Sequence, residues 1–314
     1  MRWSVQNLLY CATWFGLEAA CLAAKSLPEK WLFAIADTLA SLGFHLFHGF
    51  RTRSIANLNL ALAGRVDNAA AERIVRRSLR NFFRACVEIA VALASSDEEI
   101  RRRIPVSGKE HLDAALAKGK GVIALSAHFG NFFLLGSRLA LEGYPIHVLI
   151  NQPRDSQVSR LMDEYRWRIK QRTIHAKPRH EALRELHRAL RRNEIAIIIA
   201  DEYRSGEGVE VPFFGRPVVA RRGPATLASR TGAAVVPVYL MRRPDDSLNL
   251  VIQPELDLCR PGKNRAGIKE NTARMTRWLE ETVSREPEQW NWMNIRVWQG
   301  HRTRNRVSVC GQRQ

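Results

Sequence analysis

The chain is short of acid. Its 31 Asp and Glu stand against 49 Lys and Arg in 314 residues, a formal charge of +18. Arginine runs in "RRRIP" (101–105), "RALRR" (188–192) and "VARRG" (219–223) carry much of the surplus. Such a balance favours a polyanionic partner, whether nucleic acid, an anionic membrane face or an acidic carrier protein. A merely solvated surface is the bland alternative. Cysteine is also scarce and poorly placed: five residues, at 11, 21, 86, 259 and 310, odd in number and without CxxC spacing. That argues against a disulfide framework and a structural zinc, and for reduced thiols in a cytosolic compartment, so no metal site is expected. There is no helix-turn-helix, zinc or RNP signature, so nucleic acid is not the expected partner. Internal repeats and low-complexity linkers are missing. So is a basic n-region followed by a short apolar run and an A-x-A site, which argues against a cleaved signal peptide.

What is present is an ordinary globular share of apolar residues, 46%, which excludes wholesale disorder. Two apolar segments open the chain, "VQNLLYCATWFGLEAACLAA" (5–24) and "WLFAIADTLASLGFHLFHGF" (31–50). The first is long enough to cross a bilayer, but Glu18 near its middle would be costly there. Together they suggest a membrane-inserted or membrane-lying helical hairpin over residues 1–50; two buried helices of a soluble domain are the alternative.

Helical periodicity follows over about 69–94, with Ile74, Leu79, Phe82, Phe83, Val87 and Ala90 on one face, and over 107–118. From there, short β-branched runs alternate with amphipathic stretches. Strands are predicted at 121–127, 145–151, 195–200, 233–240 and 249–254. Helices are predicted at about 131–142, 156–171, 180–192, 223–231 and 266–285. This pattern predicts an α/β fold with a central, mainly parallel sheet flanked by helices. The economical division is an anchor (1–50), an α/β domain (51–300) and a basic tail (301–314).

Ligands in such sheets gather beyond the carboxyl ends of the strands. His128 lies just past one run, and Asp201 and Glu202 lie just past another, so parallel strands would bring all three to one rim. A histidine there can take a proton from a hydroxyl near neutral pH and return it to a leaving group. Gly130 allows close backbone approach, and Asn131 can hold a polar ligand or cap the next helix. Further on, an apolar ledge from Val211 through Phe213 and Phe214 leads to Gly215, Arg216 and Pro217. Arg221, Arg222, Gly223 and Pro224 then open a helix whose free amides and two guanidiniums suit an anion. A ledge beside an anion site suits a substrate with an apolar tail and a phosphate; a surface loop packed on the core is the alternative.

These residues resemble the bacterial lipid A biosynthesis acyltransferases, the lauroyl/myristoyl transferase family within the wider lysophospholipid acyltransferase superfamily. The likeness runs from "RSIANLNLAL" (53–62) to "PEQWNWMNIRVW" (287–298), through "HFGNFF" (128–133), Asp201, "VPFFGRP" (211–217) and "GPATLASRTGAAVVPV" (223–238). It implies a membrane enzyme of the cytoplasmic face of the bacterial inner membrane. Such an enzyme moves a fatty acyl group from an acyl carrier protein or coenzyme A thioester to a lipid hydroxyl, with His128 as general base. The arginine-rich surface would meet the carrier protein and the anionic leaflet, while Asn131 and the 211–216 ledge would shape the acceptor pocket. No cofactor beyond the thioester co-substrate is implied. No covalent acyl-enzyme is required either, since no cysteine or serine stands in an obvious nucleophile setting.

Two positions depart from the family pattern. The carboxylate expected five places after the histidine is Phe133, and the next downstream carboxylate is Glu142, fourteen residues from His128. Asp201 or Glu202 could substitute. Where an Arg-Pro pair is expected, the chain has Gln152-Pro153 with Arg154 one place later, leaving Arg166 and Arg168 as candidate phosphate partners. A non-catalytic lipid-binding protein on the same fold is the second reading.

Overall fold

The computed structural model describes residues 5–62, 65–151, 156–203, 208–259 and 265–292. The basic tail and the Gln152–Arg154 stretch lie outside these residues.

Five helices precede the sheet: α1 (Val5–Ser26), α2 (Glu29–Leu46), α3 (His48–Ala61), α4 (Asn68–Ala94) and α5 (Asp97–Arg103). Local chemistry sets the starts of the last two. Asp67 accepts from the Ala70 amide at 2.6 Å and so caps α4, while Ser96 and Glu99 close a reciprocal capping box on α5. Then come β1 (Val106–Ser107), α6 (Lys109–Leu116), β2 (Val122–Ser126), α7 (Phe132–Leu141), β3 (Ile146–Ile150) and α8 (Ser156–Arg168). They are followed by β4 (Arg172–His175), α9 (Arg179–Arg191), β5 (Ile195–Ile199), a hairpin of β6 (Val209–Phe213) and β7 (Arg216–Ala220), and α10 (Gly223–Thr231). The chain continues through β8 (Ala234–Arg242), β9 (Leu248–Ile252) and α11 (Arg265–Arg285) to a short 3-10 turn at Pro287–Gln289.

The expected α/β architecture is present. Seven strands form one sheet in the order β1-β9-β8-β2-β5-β3-β4. Every pairing is parallel except β8 with β9. All five residues of the central β2 are buried, as a strand covered on both faces requires. Alternation divides them between two cores. Ile123 and Leu125 join the cluster with Leu186, Leu190, Ala225, Ala228, Met275 and Leu279 of α9, α10 and α11. Val122 and Ala124 join Leu112, Leu134, Leu135 and Leu139 of α6 and α7.

Several elements differ from the sequence reading. Beyond the helix predicted at 156–171 lies the edge strand β4, and the ledge is a strand, β6, paired antiparallel with β7. Among the described residues, no helix is long and apolar enough to cross a membrane. Glu18 is directed at α8: Tyr165 Oη donates to its carboxylate at 2.7 Å, and Arg168 lies 3.5 Å away.

Helix α2 is apolar on both sides. Leu32, Ala36, Ala40 and Phe44 are buried, while Trp31, Ile35, Leu39, Leu42 and Leu46 form an open stripe spaced four, four, three and four residues apart. Tyr10, Trp14, Phe15 and Leu22 are exposed on α1. The inner side of α2 is tied down by Asp37, which receives Arg84 at 2.7 Å and Arg80 at 3.0 Å from α4. Both arginines also reach Asp246 in the β8–β9 turn.

Candidate active site

Strands β2 and β5 are parallel with Ser126 opposite Ile199. His128 and Asp201 each follow by two residues, so one rim receives both. Asp201 holds its partner twice: the His128 backbone N–H donates to Oδ2 at 2.9 Å, and Nδ1 lies 2.8 Å from Oδ1. A carboxylate only accepts, so Nδ1 carries the proton and Nε2 keeps a free lone pair. The carboxylate is buried, whereas the imidazole is 24% exposed. Burial alone would lower the histidine's pKa; the charge and hydrogen bond of Asp201, with the charge of Glu202, outweigh it and raise it above the ordinary range. Burial would raise Asp201, but His128 and the Trp290 indole bring it below the usual carboxylate value.

Trp290 escaped the sequence reading. Fully buried, it donates Nε1–H to Asp201 Oδ2 at 2.9 Å. The segment around it also grips the histidine loop by its backbone. The Gly130 amide donates to Gln289 O at 2.8 Å, and the Asn291 amide donates to His128 O at 2.9 Å. Gly130 has φ +57, and an added Cβ would sit 2.0 Å from Leu240 O, so only glycine fits this crossing.

Asn131 takes the capping role. Its side-chain oxygen accepts from the Leu134 amide at 3.3 Å, and its amide donates to Glu88 at 2.7 Å. Only 1% of Asn131 is exposed, and both ends of its side chain are engaged within the protein. Glu88 pairs in turn with Arg242 at 2.7 Å. Arg242 Nε donates to Asn81, and its backbone is bracketed by Gln289. Burial raises the Glu88 pKa against the pull of Arg242 and Asn131. No sequence motif announces this network, since its members lie on α4, the histidine loop, β8 and the closing turn.

The other candidates separate. Glu202 stays at the rim but binds Asn151 at 3.0 Å and faces Arg221 at 3.5 Å. Val211 and Phe213 are buried; Phe213 packs edge-on against Trp290, with ring centroids 5.7 Å apart. Phe213 thus backs the indole that donates to Asp201. Phe214 (φ +50) and Gly215 (φ +69) make the hairpin turn, and the Phe214 amide is held by Glu280 at 2.7 Å. Arg216 is exposed at this turn, and Arg222 is exposed at the start of α10. Arg166 is partly buried against Asp163 at 2.9 Å, and Asp163 also meets His175 at 2.9 Å. Burial lowers the Arg166 pKa despite that carboxylate.

A buried acid and an imidazole hydrogen-bonded to it, at the rim of a parallel sheet, form an arrangement capable of proton transfer. The comparisons supply the chemistry. Residues 1–299 match the family described as bacterial lipid A biosynthesis acyltransferase, and the chain belongs to that family. It is 28% identical over 291 residues to the lipid A biosynthesis palmitoleoyltransferase of Escherichia coli, covering 91% of each chain. It is 28% identical over 234 residues to the phosphatidylinositol mannoside acyltransferase of Mycobacterium tuberculosis, covering 73% of this chain and 72% of that one. With the lipid A biosynthesis acyltransferase of Haemophilus influenzae it shares 23% identity over 299 residues, 93% of this chain and 89% of the other. This is an acyltransferase.

Proposed function

We propose that the protein transfers a fatty acyl group from a thioester of acyl carrier protein or coenzyme A to a hydroxyl of a glycolipid acceptor. Relatives named for lipid A and for phosphatidylinositol mannoside support a glycolipid. The observation that carries the mechanism is the doubly held His128–Asp201 pair with a free Nε2. Nε2 removes the acceptor's hydroxyl proton as its oxygen attacks the thioester carbonyl. The tetrahedral oxyanion is stabilised by backbone amides or a nearby arginine. Collapse breaks the C–S bond, and the imidazolium returns its proton to the departing thiolate, leaving an ester and a free thiol. Asp201 stabilises the charged imidazole and fixes its tautomer.

The site works at a membrane surface in this proposal. The open apolar stripes of α1 and α2 lie in the interface rather than across it, on the cytoplasmic face of the inner membrane. The basic surplus faces the anionic leaflet and an acidic carrier. Arg166, Arg216 and Arg222 are the candidate contacts for acceptor or donor phosphates.

The test is purified protein in detergent with labelled thioesters and glycolipid acceptors, beside His128→Ala. Labelled ester product, reduced by at least about 10²-fold in the variant, is expected. Bound lipid without transfer by either protein would leave a binding protein on the same fold.

A further inference from the structure

The arginine run at 188–192 has no place in the proton-transfer site, yet the fold gives it a definite position. It belongs to α9, which follows the edge strand β4 and leads back into β5. Strands β4, β3, β5 and β2 are mutually parallel. Helix α9 therefore begins at the rim that carries His128 and Asp201 and descends toward the foot of the sheet. It packs on β3, β4 and β5, and its apolar residues Ala182, Leu186, Ala189 and Leu190 are buried.

The outward side is different. Leu183, Arg184, His187, Arg188, Arg191 and Arg192 line one open groove. Spacings of three and four residues place Arg184, His187, Arg188 and Arg191 on one helical face, and this stripe runs about 10 Å along the axis. Leu183, 44% exposed, sits at its head. Arg192 is held by Glu194 at 3.0 Å. Among the described residues, no carboxylate forms an ion pair with Arg184, Arg188 or Arg191. Glu181, on the same helix, faces His180 at 3.7 Å instead.

Three unpaired guanidiniums beside an exposed leucine suit an acidic partner that also offers an apolar contact. A bilayer suits them less. A helix lying in a membrane inserts its apolar face beneath a basic flank, and α9 has turned that face to the sheet. We propose that the outer face of α9 docks the acidic carrier protein that brings the thioester. The carrier stands beside the sheet, and its thioester arm reaches over the ends of β5 and β2 to His128. Opposite charges on the two faces steer the encounter and fix its orientation, an effect that salt screens. The inference deepens the transfer reading above and rests on it.

The experiment measures transfer to one glycolipid acceptor from the same acyl group on two donors, acyl carrier protein and coenzyme A. The wild type should use the carrier thioester, with a KM that rises as salt is added. Arg184→Glu combined with Arg188→Glu should raise that KM by about tenfold or more, with kcat nearly unchanged and most of the salt dependence lost. Both constants for the coenzyme A thioester should stay within about twofold of wild type. Arg184→Lys with Arg188→Lys should behave as wild type, since charge does the steering. Arg73→Glu with Arg102→Glu changes the net charge equally at exposed positions elsewhere, and should leave the carrier KM within about twofold. A carrier KM unmoved in the α9 variant, or moved equally by the control pair, overturns the docking assignment. An equal loss with the coenzyme A thioester overturns it too. So does weaker flotation with anionic vesicles at an unchanged carrier KM, which makes the stripe a lipid contact. A wild type active only with coenzyme A overturns it while leaving the transfer reading intact. Transfer from neither donor overturns the transfer reading and this inference with it.

Discussion

Asp201 takes hold of both the backbone amide and the imidazole of His128, at 2.9 and 2.8 Å. One carboxylate therefore fixes the position of the loop and the charge of its side chain. The proposed general-base role needs a neutral imidazole in the free enzyme, and Asp201 and Glu202 raise the histidine's pKa. The acid limb of kcat/KM should then lie above about pH 6.5, the ordinary histidine value.

Asp201→Asn should bring that limb down toward or below 6.5 and reduce kcat by about 10³–10⁴-fold. The stability effect has a definite sign. A raised histidine stabilises fully below its unfolded pKa, and that contribution is lost as pH rises through the higher folded value. A lowered aspartate stabilises above its unfolded pKa and loses this as pH falls through the folded one. Both contributions hold at pH 5.5, so the substitution should cost more stability there than at pH 9. Urea titrations at the two pH values measure this; equal losses would contradict the assignment.

Arg242→Met should be expensive although it lies outside the proton-transfer pair. It strips the buried Glu88 carboxylate of its 2.7 Å partner, and breaking such a pair costs about 3–5 kcal/mol. The double variant Glu88→Leu with Arg242→Met should recover part of the loss, because no charge is left stranded. Equilibrium denaturation decides the matter, and a single-variant cost under about 1 kcal/mol would show that Glu88 finds relief elsewhere.

Leu39→Glu combined with Leu42→Glu should weaken binding to vesicles containing anionic lipid by at least about tenfold, since each leucine contributes on the order of 1 kcal/mol when its side chain leaves water. Both side chains are about half exposed, so the fold and its melting temperature should be nearly unchanged. Vesicle flotation at fixed salt provides the readout. Undiminished flotation would remove α2 from the membrane contact.

The sequence shows the rim clearly because each half of it is local. His128 and Asp201 both end continuous apolar runs, and parallel pairing of those runs suffices to bring them together. Trp290 was hidden because its partner is 89 residues away and tryptophan at a chain turn has no motif for holding an acid. Asn131 could be read either way from the sequence; its bond from the Leu134 amide shows the cap. The 211–214 ledge looked continuous, but the alternation of a hairpin strand turns Val211 and Phe213 inward. Strand β4 was missed because Arg172–His175 is short, polar at its ends and adjacent to a helical pattern. The stripe on α2 was legible as surplus apolarity, and only the packing of Leu32, Ala36 and Phe44 against the protein shows which side is surplus.

The backbone bonds from Gln289 and Asn291 to the histidine loop carry a consequence for biosynthesis. The central strands, the loop and Asp201 are made first, yet the indole that steadies the acid, the Gln289 carbonyl that holds Gly130 and the Asn291 amide that holds His128 arrive some 160 residues after the histidine. Domains begin to fold while their chains are still being made. On the ribosome, this chain can assemble much of its sheet while its reactive centre is still slack. Acyl chemistry would be withheld until the turn at 287–292 has emerged and closed.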